Sequence, residues 1–567
     1  MHFVKKVPTT AEQKAVIEKQ RYAKLKMFCN LRDQIFVQRS QNELNEDLLR
    51  LCEAVLVKNP DIYTLWNIRR EVLDKLKEQS LTGDESINLE RLYADELSLT
   101  EQCIKTNPKS YSAWFQRSWI LNGQATPDLK KELAMCKEGL KMDCRNFHCW
   151  DHRRIVARMA QLTDEEELSF SEKLIADNFS NFSAWHMRMS LIPRFEDMET
   201  GERLMSQETV KEEIKRVANA MFTDPEDQSA WMYARYIIHL YSPASFLNKE
   251  SSCPIVPLSA SIDLNRLIVV FTRSITVENA LFFFRGIPAK AEWRAVSRFS
   301  TLTSRVWECI LEEGDKVEMS KDGIHFESLK IFCRKDLYER ILCGGPVSVI
   351  DSIREHCEEL LQEEKNNSMG VVTVTQCLRL TSPLHSHSII MNNLERLATS
   401  LDPLRANMYR SMGSQESIRY RLLSKEENGE RTILDGILEG EGRLSLKYLQ
   451  LTELSNIDLF APLITELDVG GNRLGDGSEI ALLPRLTHLS IDENPIHSLP
   501  SSLSSLSRLD FISCAMTSLS DVSAVGHTLQ QCPSLTRFLY CQTPLVDKTD
   551  VLRNSIRDSI RLIPHYL

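Results

Sequence analysis

Few residues of this 567-residue chain are spaced to do chemistry of their own. His385-Ser386-His387 sets two imidazoles close together, but no cysteine or carboxylate stands at ligand spacing beside them. A zinc site needs more donors than that, so the pair reads as a solvated loop. Gly470-Gly471-Asn472-Arg473 looks like a phosphate loop only until its repeat frame is noticed. Neither G-x-x-x-x-G-K-[ST] nor an Asp-rich diphosphate motif is present. The fifteen cysteines include no C-x-x-C pair and read as reduced core thiols. Lys109, on the residues alone, is one exposed helix-start lysine among many.

What would position such groups is a repeat. Five times a tryptophan is followed by an arginine about one helical turn later: Trp66 and Arg69, Trp114 and Arg117, Trp150 and Arg153, Trp185 and Arg188, Trp231 and Arg235. The Trp-to-Trp steps are 48, 36, 35 and 46 residues. Such periods mean stacked helix pairs, because one pair cannot bury its apolar face alone. Pro60, Pro108 and Pro225 precede the helices, where a missing N–H is harmless and a fixed φ helps the turn. Tyr63, Tyr111, Phe147 and Phe182 stand three residues before their Trp, a spacing that predicts a shared apolar wedge between neighbouring pairs. Each Arg is placed to hold a backbone carbonyl or a carboxylate of the adjacent unit. The fifth unit departs: Gln228 replaces the aromatic and Arg235 falls at i+4.

Beyond the repeats the texture changes. From about Pro243 to Asp336 short β-rich runs such as Leu267–Phe271, Leu281–Phe284, Val306–Ile310 and Leu329–Phe332 alternate with turn signals at Gly286-Ile287-Pro288 and Lys321-Asp322-Gly323, which suits a β-sandwich. Helical patterning resumes with Ile350, Ile353, Cys357 and Leu360 on one stripe, and with a second helix around Met391–Tyr409. Leu467-x-Val469-x-x-Asn472-x-Leu474 is then echoed at Leu489–Ile496 and Leu509–Met516, the pattern of leucine-rich repeats. The expected fold is multidomain and mainly α. It comprises α-α superhelical repeats at 1–242, an immunoglobulin-like β-sandwich at 243–336, a helical continuation at 337–441 and a leucine-rich solenoid at 442–567.

The formal charge of −10 argues against a nucleic-acid binder. The amino terminus has no apolar signal core and no segment approaches a membrane span, so a cytoplasmic protein is expected.

The unit of Asn/Pro lead, aromatic and W-x-x-R resembles the repeat of the protein prenyltransferase α subunits. The order of helical repeats, β-sandwich, helices and leucine-rich tail resembles the type II, Rab-modifying geranylgeranyltransferase branch of that family. The resemblance implies one half of a heterodimer, active only with a barrel-shaped β subunit that holds zinc and the isoprenoid. It also implies transfer of geranylgeranyl from geranylgeranyl diphosphate to C-terminal cysteines of Rab GTPases presented by a Rab escort protein. In the family a lysine from a K-x-Y-x-x-W lead reaches the diphosphate. That places Lys109 in the catalytic role, with Tyr111 lining the same cleft and Arg145, equivalent in the third unit, in reserve as a substrate-binding residue. His2 is a further candidate, reaching the partner's zinc from the terminus. The competing expectation is a non-catalytic helical and leucine-rich interaction scaffold.

Overall fold

The protein is seen in a computed structural model that describes residues 10–82, 87–192, 195–196, 203–242, 257–263, 266–276, 284–285, 292–296, 303–311, 318–319, 324–325, 331–335, 338, 342, 347–425, 429 and 431–565. It forms two compact units, Met1–Ile192 and Pro193–Leu567.

In the first unit a long helix, α1 (Ala11–Ser40), precedes four helix pairs: α2 (Glu46–Leu56) with α3 (Tyr63–Leu81), α4 (Leu89–Thr106) with α5 (Tyr111–Gly123), α6 (Leu129–Met142) with α7 (Phe147–Met159), and α8 (Asp164–Asp177) with α9 (Phe182–Leu191). Ser110, Asn146 and Asn181 cap the second helices of the last three pairs by accepting from free N–H groups of the first turn. Four residues on, each Trp is buried, and its indole N–H turns back to the carbonyl six residues earlier. At Pro60 and Pro108 that carbonyl also accepts from the next pair's cap, Ser110 Oγ at 3.2 Å and Asn146 Nδ2 at 3.0 Å. The carbonyl of the lead-in proline is therefore a node joining consecutive pairs.

The expected aromatic wedge is not formed. Tyr63, Tyr111, Phe147 and Phe182 are exposed. Each is the first residue of its helix, so its side chain leans back over the open helix end while the Trp one turn later faces inward. Cohesion between pairs comes instead from buried charge. Arg117 donates to Leu97 O (2.8 Å) in its own pair and grips Glu132 of the next at 2.8 and 2.6 Å. Arg69 likewise binds Leu49 O and Glu96, and Arg153 binds Glu167 at 2.5 Å. A second donor two residues after the Trp completes two of these carboxylates, Gln116 on Glu96 (3.2 Å) and His152 on Glu132 (3.1 Å). Leu48 holds the corresponding position in the first pair, which no Trp-and-Arg unit precedes.

In the second unit α10 (Gln207–Thr223) and α11 (Gln228–Tyr241) form the fifth pair. The helices Ser348–Glu363 and Ser368–Thr381 stack on them, and Asn367 Nδ2 donates to Pro225 O at 2.8 Å, the same node as before. The β segment thus enters between consecutive helix pairs. It contains a five-stranded antiparallel sheet in the order Ile331–Cys333, Pro257–Asp263, Arg266–Ile275, Ser304–Ile310, Trp293–Val296. A small sheet of Phe284–Arg285, Glu318–Met319 and Ile324–His325 accompanies it. The predicted runs at 281–283 and 329–330, and the turns at 286–288 and 321–323, lie outside the described residues.

The C-terminal part lays six three-residue strands in parallel and in chain order, from Arg443–Ser445 to Arg561–Ile563. Their middle residues, Leu444, Leu467, Leu489, Ile512, Phe538 and Leu562, point into one core. The Asn472 side chain accepts from Leu449 N and Leu451 N and donates to Leu446 O and Val469 O, all at 2.8–3.1 Å. Asn494 repeats the arrangement one turn on. Tyr338 ties this part to the β segment: it is fully buried, stacks on Phe460, meets Ser259 Oγ at 2.9 Å and donates to Leu459 O.

Candidate functional site

Lys109 lies in the turn between α4 and α5, exposed, its backbone N–H held by Asn107 Oδ1 at 3.2 Å. The turn is fixed from both sides, because the adjoining Pro108 carbonyl is the acceptor shared by Trp114 and Asn146. Tyr111 opens α5 and is 71% exposed, in contrast to a core role. Its ring meets His148 edge-on at 4.2 Å and Phe147 at 5.9 Å, so the starts of α5 and α7 are brought together.

His148 is a residue that sequence reasoning passed over. It is buried, and among the described residues its Nε2 has no hydrogen-bond partner. Burial lowers its pKa below the usual imidazole value, and the Lys109 charge pushes the same way, opposed by Asp151 and by a hydrogen bond to the Lys109 backbone. Burial thus disfavours the charged form of this imidazole. The available signal was positional: Asn146-Phe147-His148 repeats the register of Ser110-Tyr111-Ser112 before the next Trp. A lysine on a fixed turn beside a phenol can hold an anion and stabilise charge that builds on it.

Arg145 occupies the equivalent turn before α7 and is exposed, but its Nη2 donates to Ser180 O at 3.1 Å in the following unit. Its guanidinium is thus committed away from Lys109. His2 lies outside the described residues. His387 stacks on Tyr420 at 4.1 Å. Among the described residues no group of three or more His, Cys, Asp or Glu is arranged to hold a metal ion, and all thirteen described cysteines are free. No described helix is long and apolar enough to cross a membrane.

The protein prenyltransferase alpha subunit repeat matches residues 45–76, 93–124, 129–160, 164–195 and 210–241, each match spanning parts of one helix pair. Over 573 residues, 96% of both chains, the sequence is 31% identical to the geranylgeranyl transferase type-2 subunit alpha of Sus scrofa. Over 580 residues, 97% of both, it is 31% identical to that of Homo sapiens. The Dictyostelium discoideum protein of the same name is 35% identical over 246 residues, 42% of this chain and 75% of its own. Candida albicans protein geranylgeranyltransferase-I complexed with GGPP superposes with a TM-score of 0.39 at 17% identity, over 68% of this chain and 88% of the other, a level that defines no shared geometry. Matched over 96–97% of its length by these mammalian relatives and carrying the repeat on each of its first five helix pairs, the chain belongs to the geranylgeranyl transferase type-2 α-subunit family.

Proposed function

We propose that this chain works as the α subunit of a heterodimer that transfers geranylgeranyl from its diphosphate to C-terminal cysteines of Rab GTPases presented by an escort protein. The observation that carries the site is the fixed turn of Lys109 beside Tyr111 and His148. In this proposal the Lys109 ammonium lies against the diphosphate and offsets the charge that grows as the C1–O bond breaks. Tyr111 supplies a hydrogen bond without adding charge, His148 holds the Tyr111 ring edge-on, and Arg145 binds substrate only if it leaves Ser180.

In this reading zinc is held by the β subunit, where it activates the substrate thiol. His2 would reach it from the terminus. A cytoplasmic location accords with the proposed substrates.

We further infer a leucine-rich solenoid at 442–567, supported by parallel strands in unbroken register and by the Asn472 and Asn494 ladders. An immunoglobulin-like sandwich at 243–336 is favoured by its two antiparallel sheets, with helical parts at 1–242 and 337–441.

The test is co-expression with a candidate barrel subunit, followed by radiolabelled geranylgeranyl transfer to a Rab with and without escort protein. Transfer that requires both subunits and the escort is expected. A stable dimer that modifies short C-terminal peptides without escort would overturn the type II reading, and failure to form any dimer would favour the scaffold.

A further inference from the structure

The arginines of the first three units each end on a buried carboxylate of the next pair, Glu96, Glu132 or Glu167. The fifth unit breaks this rule in two places at once. Its own Glu213 is present and takes the Tyr233 hydroxyl at 2.7 Å, twenty residues ahead, as Glu132 takes His152. But the next pair carries Ile353 twenty residues before Thr373, so no glutamate stands at the corresponding register for the arginine of the fifth unit. That arginine has moved one residue along the helix, to Arg235.

Arg235 is half-buried, and among the described residues its guanidinium has neither a hydrogen-bond nor an ion-pair partner; its Nε is buried and unpaired. Burial lowers its pKa, and of the groups acting on it Tyr409 favours the charged form while the guanidinium of Arg405 opposes it. Among the described residues no carboxylate contributes. Asp402, beside these two groups, is already taken by Arg405 (2.6 Å) and the Tyr409 hydroxyl (2.7 Å). The surroundings are also unusually apolar for a charged surface. Met232, one turn before Arg235 on α11, is 46% exposed, and Leu404 and Met408, chain neighbours of Arg405 and Tyr409, are 98% and 47% exposed. An unpaired arginine on a helix that also exposes Met232, with Tyr409 acting on it, has the residue types of an interface centre.

We propose that Arg235 is a docking residue that receives an aspartate or glutamate of a partner protein, a carboxylate flanked by apolar side chains, in the role that Glu96, Glu132 and Glu167 play inside the array. Charge complementarity selects this occupant: a half-buried guanidinium with no counter-ion among the described residues gains most from a carboxylate that arrives with its own apolar cover. The identity of the partner rests on the proposed heterodimer; the need for a carboxylate does not.

The experiment compares wild type, Arg235→Gln and Arg235→Lys as full chains, titrated separately with the β subunit and with the escort protein. Arg235→Gln should weaken one of the two complexes by at least about tenfold, with Arg235→Lys in between, because truncating one side of a buried charge pair strands the other. The melting temperature of the isolated chain should stay the same or rise. Unchanged affinity for both proteins overturns the inference while leaving the functional reading intact. Wild type that binds neither protein removes the reading and the inference together.

Discussion

Trp114 and Asn146 donate to one oxygen, the carbonyl of Pro108, at 2.9 and 3.0 Å, although they belong to successive helix pairs. The same Asn146 side chain accepts from His148 N and Cys149 N, so a single amide caps α7 and locks the turn that carries Lys109. Asn146→Ala should therefore lower stability by about 2 kcal/mol, the sum of a lost cap and a lost buried bond. Urea unfolding measures this, and an Asn146→Asp variant should keep the cap but lose the donor to Pro108.

Lys109→Ala should slow single-turnover prenyl transfer on the order of a hundredfold, in line with removal of one preorganised group from a developing anion. Binding of the Rab and escort complex should be unchanged. An unaltered single-turnover rate would remove Lys109 from the chemistry.

The buried triad of Arg117, Glu132 and His152 makes a pH prediction. Burial alone would raise the Glu132 carboxyl, but hydrogen bonds from His152 and Arg117 outweigh it and hold the group below its ordinary value. A carboxyl depressed in the fold adds stability above its unfolded pKa and loses it as pH falls through the lower folded one. Urea midpoints of wild type should drop between about pH 5 and pH 3 more steeply than those of Glu132→Gln. At neutral pH that variant should be less stable by about 3 kcal/mol, because it strands a buried guanidinium.

Tyr338→Phe removes one hydroxyl that joins Ser259 to Leu459 O across the β segment and the C-terminal array. A loss of about 1–2 kcal/mol is expected from the unsatisfied carbonyl. Hydrogen exchange should show protection falling around Leu459 and Ser259 together.

Gly471 has φ +66°, and a Cβ there would come within 2.1 Å of the Tyr448 ring, which lies across the glycine to reach Glu493 at 3.1 Å. Gly471→Ala should cost about 2 kcal/mol, part strain and part clash. Adding Tyr448→Ala should recover only the clash, a non-additivity that a double-mutant cycle reads directly.

The tryptophans were legible in the sequence because a large residue at regular spacing announces its burial, and Trp66, Trp150 and Trp185 are indeed almost wholly inside. Their aromatic neighbours were misread: i, i+3 spacing specifies a face only within a helix, and at its first residue the side chain swings over the end. Glu96, Glu132, Glu167 and Glu213 went unnoticed because glutamates on helices are usually solvated. The signal was an apolar residue after each, Leu97, Leu133, Leu168 and Ile214, at a constant twenty residues from the position two after the Trp. His148 was obscured for a related reason, since a lone histidine beside a tryptophan looks like packing until its unpaired nitrogen is seen.

The arginine-to-glutamate links give the array a polarity. The second and third units each offer a plug at one side and a socket at the other, whereas the first, with Leu48, has no socket, and the pair carrying Ile353 has none to offer Arg235. A duplicated internal unit would therefore mate with both neighbours, while a unit added ahead of the first would bring a plug with nowhere to seat. Leu48, buried and apolar at the socket position, marks the first helix pair as the end of the series.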